Sequence, residues 1–168
     1  MANYKAKPLS RKKIQDVALS LRQMLSVSLE DSFPVVKFFE FILPSLGYEL
    51  EICGISEMPK EYALTFPEKN LVKIREDVYI RAVDENPRDL FTLAHEIGHI
   101  IFHDNMSVSF ARSDEKIKVF EDPEWQANTF AAELLAPSCA IKGMLIEEIM
   151  NIYKCSRQVA TIQLSKSF

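Results

Sequence analysis

Residues 91–103 read Phe-Thr-Leu-Ala-His-Glu-Ile-Gly-His-Ile-Ile-Phe-His, and this segment constrains the chain more than any other. Asn86 is suited to cap a helix, Pro87 to occupy its first position and Asp89 its first turn, so a helix is predicted from Asn86 to about His103. On that helix His95 and His99 stand one turn apart on one face, where both imidazoles can reach a single ion. Zinc accepts neutral imidazole nitrogen and, with two such ligands, keeps room for a third protein ligand and a water. Glu96, next to His95, can face that water, take its proton and hand it to a leaving amine. A chance HExxH in a chain this long is expected at roughly 1% or below. Only three histidines are present, and two fall into this frame. Polar residues set among Leu93, Ala94, Ile97, Ile100, Ile101 and Phe102 would be costly without partners.

The third ligand is less constrained. A metzincin pattern would need Gly at 102 and His at 105, where this chain has Phe102 and Asn105, and an inverted HxxEH is absent. His103 lies about 12 Å along the axis from His95, too far to share one ion with it, so it is expected beside the ligands or at the helix end. The remaining common scheme supplies a glutamate from a later helix. That helix is predicted over Asp122 to Pro137, where Ala127 and Ala131, one turn apart, allow close packing on the HExxH helix. Glu124 lies on the same side and is the candidate, whereas Glu121 precedes the helix and Glu133 lies round it. Spacing alone is also satisfied by an acidic first-turn residue favoured by the helix dipole.

At 168 residues and 19.3 kDa the chain fits one domain with a core of its own. Residues 1–30, a loose tail and an amphipathic helix from Ser10 to Ser28, are expected to join the same domain as residues 31–168. The basic run Lys5–Lys13 precedes no apolar stretch, which argues against a signal peptide, and no run approaches the length needed to span a bilayer. Cys53, Cys139 and Cys155 form no CxxC pair, a pattern suited to a reducing cytoplasm. The formal charge of −4 disfavours direct nucleic-acid binding. A second helix is predicted from Ser32 to Pro44, with Phe33, Phe38, Phe39 and Phe41 in the core. Short strands are predicted at 48–53, 62–66, 71–75 and 78–81, the last two joined by an antiparallel turn at Glu76–Asp77. Residues 104–122 read as a loop, and two helices, about 139–153 and 156–167, close the chain. The order of helices, sheet, helices predicts an α+β fold with a small mixed or antiparallel sheet and HExxH on a central helix.

The string HEIGHIIFH followed by EWQANTFAAELLAP resembles the ImmA/IrrE family of metallopeptidases, whose usual pattern is HExGHxxxH and then ExxANxFAAxLLMP. The likeness covers roughly residues 35–165 and includes the closing segment around Tyr153 to Leu164. It implies a zincin-like fold and a gluzincin-like His₂Glu zinc site. Carried over position by position, the ligands are His95, His99 and Glu124 and the general base is Glu96. Gln126 stands where an acidic residue is common, Ala136 replaces a frequent Met, and Gln163 stands where Arg is frequent. These departures bear on substrate or partner detail rather than on the metal.

The resemblance further implies a protein partner. Several members of the family cleave or inactivate a helix-turn-helix (Xre-type) transcriptional regulator of a mobile element or stress response, and others resemble the toxin of a toxin–antitoxin pair. The expectation is a cytoplasmic zinc endopeptidase of narrow specificity, against an alternative in which a metal-bearing module binds its partner without cleaving it. Glu96 discriminates, since a pure binder needs no base beside its metal. His103, Tyr79 and Tyr153 are candidates for stabilising an oxyanion. Trp125 either lines a cleft or packs. Residues Val78–Val83 are the expected edge strand for a substrate peptide.

Overall fold

The structure, a computed structural model, describes residues 4–103, 108–110 (backbone) and 116–168. It is α+β. β1 (Tyr4–Ala6) leads to α1 (Arg11–Met24), then to α2 (Val35–Lys37), a π-helical turn over Phe38–Ile42 and α3 (Leu43–Ser45). β2 (Glu49–Cys53), β3 (Ala63–Phe66) and β4 (Leu71–Arg75) form one sheet. α4 (Glu76–Val83), α5 (Pro87–Phe102), β5 (Val108–Phe110), α6 (Pro123–Leu135), α7 (Ile146–Tyr153) and α8 (Arg157–Lys166) follow.

The sheet is mixed, in the order β2-β4-β3. β2 runs parallel to β4 with Ile52 opposite Ile74, and β3 runs antiparallel to β4 with Thr65 opposite Val72. Val72 and Ile74 are fully buried on the inner face of β4, as a strand with one solvated face requires. β3 ends the sheet: among the described residues it pairs with β4 alone.

Several sequence expectations fail here. Residues 76–83 are helix α4, not a strand, so there is no antiparallel turn at Glu76–Asp77 and no edge strand at Val78–Val83. Charge placement accounts for this: Asp77 in the first turn takes Arg75 in a two-bond ion pair at 2.6 and 3.0 Å and reaches Arg81 one turn later at 3.1 Å. Arg81 also grips the buried Asp89 of α5 at 2.9 and 3.1 Å. Residues 4–9 of the expected N-terminal tail are likewise not loose, residues 1–3 lying outside the described residues. β1 pairs antiparallel with β5, inside the segment expected to be a loop, of which residues 104–107 and 111–115 lie outside the described residues. The helix expected over 139–153 shortens to Ile146–Tyr153 behind a 3₁₀ turn at Ser138–Ala140. Phe33, Phe38 and Phe39 are in the core, but Phe41 is exposed.

The helix that organises the core is α6. Residues Gln126, Ala127 and Thr129 to Leu135 are all buried, so solvent reaches little beyond its first turn. α1 packs against it through Ile14 and Ala18, and α5 through Leu93, Ala94 and Ile97. Its last carbonyls are met by the buried Arg22 of α1, which donates to Leu134 O at 2.7 Å and Leu135 O at 3.1 Å and also to Ser28 O and Asp31 O. Asn86 and Pro87 start α5 as the sequence implies, Asn86 Oδ1 accepting from the N–H groups of Arg88 and Asp89. Asp122 caps α6, its carboxylate accepting from Glu124 N at 3.0 Å.

Candidate metal centre

α5 and α6 approach closely at Gly98. A methyl group built there would lie 3.0 Å from Ala127 Cα, so only hydrogen fits between the two backbones. This approach brings the first turn of α6 against the histidine face of α5. His95 Nε2 and His99 Nε2 are 2.9 Å apart, and the Glu124 carboxylate lies 3.2 Å from each. Three corners of a tetrahedron with bonds of about 2.0–2.1 Å are about 3.3 Å apart, close to the separations here, where His95 meets Glu124 Oε2 and His99 meets Glu124 Oε1. All three can offer lone pairs to the same point, an arrangement that needs a shared cation or proton. In the metal-free protein, hydrogen bonds from His95 and His99 when their imidazoles are protonated hold the Glu124 carboxyl well below the usual carboxylate range. Burial pulls the His95 pKa down, but Glu124, Glu96 and Asn128 outweigh it and leave it above its ordinary value.

Each imidazole is held from behind. His95 Nδ1 is 2.8 Å from Asn128 Oδ1, one turn after Glu124 on α6. His99 Nδ1 is 2.8 Å from His103 Nδ1, and His103 Nε2 is 2.7 Å from Gln126 Oε1. Burial pushes the His103 pKa down to about 4. Gln126 therefore reaches His99 through His103.

Glu96 is buried beside the same cleft, and its Oε2 accepts a hydrogen bond from Thr65 Oγ1 of β3 at 2.6 Å. The cleft has a volume of about 730 Å³. It runs between His95, His99 and Glu124 on one side and residues 61–65, leading into and along β3, on the other.

A family model described as the IrrE N-terminal-like domain of the M78 peptidases matches residues 47–165. The chain belongs to this family. A search of curated proteins finds no match. The match makes residues 47–165 a metallopeptidase domain, in agreement with the resemblance carried by HEIGHIIFH and EWQANTFAAELLAP. It spans β2 through α8 apart from Lys166, and so includes His95, Glu96, His99 and Glu124. It leaves β1, α1, α2 and α3 outside.

Within the M78 domain several expectations change place. Tyr79 and Tyr153 do not line the cleft: Tyr79 Oη bonds Glu40, and Tyr153 Oη donates to Leu29 O at 2.9 Å in the cluster of the closing helices. The tyrosines that do line it are Tyr4 and Tyr62. Trp125 does not line the cleft of His95 and Glu96; it packs on the main core and borders a neighbouring cleft of about 780 Å³. Two residues carry no signal in the sequence pattern: Thr65, whose link to Glu96 joins residues 31 positions apart, and Lys7, whose carbonyl meets Gln126. Among the described residues no helix is long and apolar enough to cross a membrane.

Proposed function

We propose that this chain is a zinc-dependent endopeptidase that cleaves or inactivates one partner protein, a helix-turn-helix (Xre-type) regulator or antitoxin in the cytoplasm. The observation carrying this reading is the ligand face itself: two imidazole nitrogens 2.9 Å apart, each 3.2 Å from one oxygen of the Glu124 carboxylate, lining an open cleft with Glu96 beside them. His95, His99 and Glu124 would hold the ion. Bound there, zinc supplies Lewis-acid polarisation of the scissile carbonyl and of the attacking water.

The remaining steps belong to the chain's own residues. Glu96 takes the proton of the attacking water and returns it to the leaving amine. Thr65 donates to one carboxylate oxygen of Glu96, which fixes the orientation of the other. Among the described residues β3 has one edge that no strand pairs, along the cleft, so an extended substrate can add as a further strand, with main-chain hydrogen bonds giving affinity and alternate side chains specificity. This role, expected at Val78–Val83, moves to Ala63–Phe66.

Glu96→Gln tests the reading. The variant should bind zinc like the wild type and fail to cleave a helix-turn-helix protein co-expressed from the neighbouring gene. If Glu96→Gln exerts the full biological effect, the effect comes from binding alone and the endopeptidase reading is wrong.

A further inference from the structure

Gln126 is fully buried on α6, and every hydrogen-bonding atom of its side chain is used. Nε2 donates to Lys7 O at 2.9 Å and to Phe120 O at 2.8 Å, while Oε1 lies 2.7 Å from His103 Nε2. The amide can stand only this way round, because the flipped form would set its oxygen against two carbonyl oxygens. With an oxygen facing it, His103 Nε2 carries the proton and donates. His103 Nδ1 is then a bare acceptor, 2.8 Å from His99 Nδ1. His99 must therefore carry its proton on Nδ1, which leaves Nε2 free toward Glu124 and His95.

We propose that Gln126 is a positioning residue: through His103 it sets the tautomer of His99 that a metal requires, and its own orientation is imposed by the main chain at Lys7 and Phe120. The opposite His103 tautomer would aim an N–H at His99 Nδ1, move the His99 proton to Nε2 and block the metal face. Lys7 lies outside residues 47–165, so the N-terminal segment contributes to the centre although it is not part of the matched domain. Leu9 N, donating to Phe120 O at 3.0 Å, ties that segment to the turn before α6. The inference rests on the zinc reading given above.

The test uses the full chain. With only three histidines, ¹⁵N-histidine labelling gives a spectrum in which each ring can be assigned. In the zinc-loaded protein His103 should show its proton on Nε2 and His99 on Nδ1, and a proton on His103 Nδ1 overturns the proposal. Zinc affinity is then measured by competition with a chromophoric chelator for two variants. Gln126→Met keeps the length but removes the acceptor, and should weaken zinc about 10–100-fold, the usual effect of losing a group that orients a ligand. Gln126→Glu keeps an acceptor for His103 and loses both donors, so it should hold zinc within about threefold of wild type, by the same reasoning, while unfolding at lower temperature. Equal losses in both variants would assign Gln126 to packing, and no loss in either would show that His99 needs no such support. A wild-type chain that binds no zinc would instead defeat the zinc reading, a result separable from a wrong tautomer.

Discussion

Replacing Gly98 by alanine should loosen the metal face without touching any residue on it. The added methyl would lie 3.0 Å from Ala127 Cα and 3.3 Å from both Ala127 Cβ and Ala127 O. Carbon atoms in contact prefer about 3.5–4.0 Å, so α5 and α6 must part by a few tenths of an ångström at this point. Main-chain atoms supply the nearest of these contacts, so no rotamer change relieves the clash. His99 follows Gly98 directly, and Glu124 is three residues before Ala127, so the displacement falls between the two ligand-bearing turns. A metal site tolerates about 0.2 Å, which the shift exceeds. Overpacking costs about 1–3 kcal/mol, and the better helix propensity of alanine returns about 1 kcal/mol. The metal-free variant should therefore lose between about 0 and 2 kcal/mol, while zinc binding weakens tenfold or more, or at least about 1.4 kcal/mol. Chelator competition and thermal unfolding of the metal-free protein read the two effects separately. Unchanged zinc affinity together with a raised unfolding temperature would refute the close-packing reasoning.

Arg22→Met should cost about 3 kcal/mol or more in urea unfolding, because it strips the buried carbonyls of Leu134 and Leu135 of their donors, and a loss under about 1 kcal/mol would contradict this. Thiol titration of the folded protein should find Cys139 reactive alone: Cys53 and Cys155 are buried, and burial pushes the Cys155 thiol up to about 11. Three fast thiols in native buffer would be the contrary result. The ion pair with Arg75, followed by that with Arg81, holds the Asp77 carboxyl well below the usual carboxylate range. Its contribution is therefore complete above the ordinary carboxyl pKa of about 3.9 and fades as pH falls below it. The gap in unfolding midpoint between wild type and Asp77→Asn should shrink from pH 6 to pH 3 in the metal-free protein, and a gap independent of pH would contradict the pairing.

The parts legible in the sequence are those whose signals are local. Asn86 and Pro87 start α5, Asp122 and Pro123 start α6, and helical spacing puts His95 and His99 on one face. α4 was misread because Val78, Tyr79 and Ile80 favour strands on their own. What makes these residues helical is a set of charges, one of them Asp89 beyond the end of the element. The buried pair Val78 and Ala82, four residues apart, was the available clue. β1 could not be read at all, since its partner strand lies about a hundred residues away. The same holds within the centre. Glu124 is found through its motif, but Thr65 on Glu96 and Lys7 on Gln126 are contacts across 31 and 119 positions, which no spacing rule encodes.

The account stands or falls on what His95, His99 and Glu124 hold. X-ray absorption at the zinc edge of the purified, zinc-replete chain, with metal content measured alongside, should give one zinc per chain bound by two imidazole nitrogens and a carboxylate oxygen at about 2.0–2.2 Å. The same measurement on Glu124→Ala should show reduced occupancy. A wild-type protein that stays metal-free, or a Glu124→Ala variant with unchanged zinc content and scattering, would contradict it.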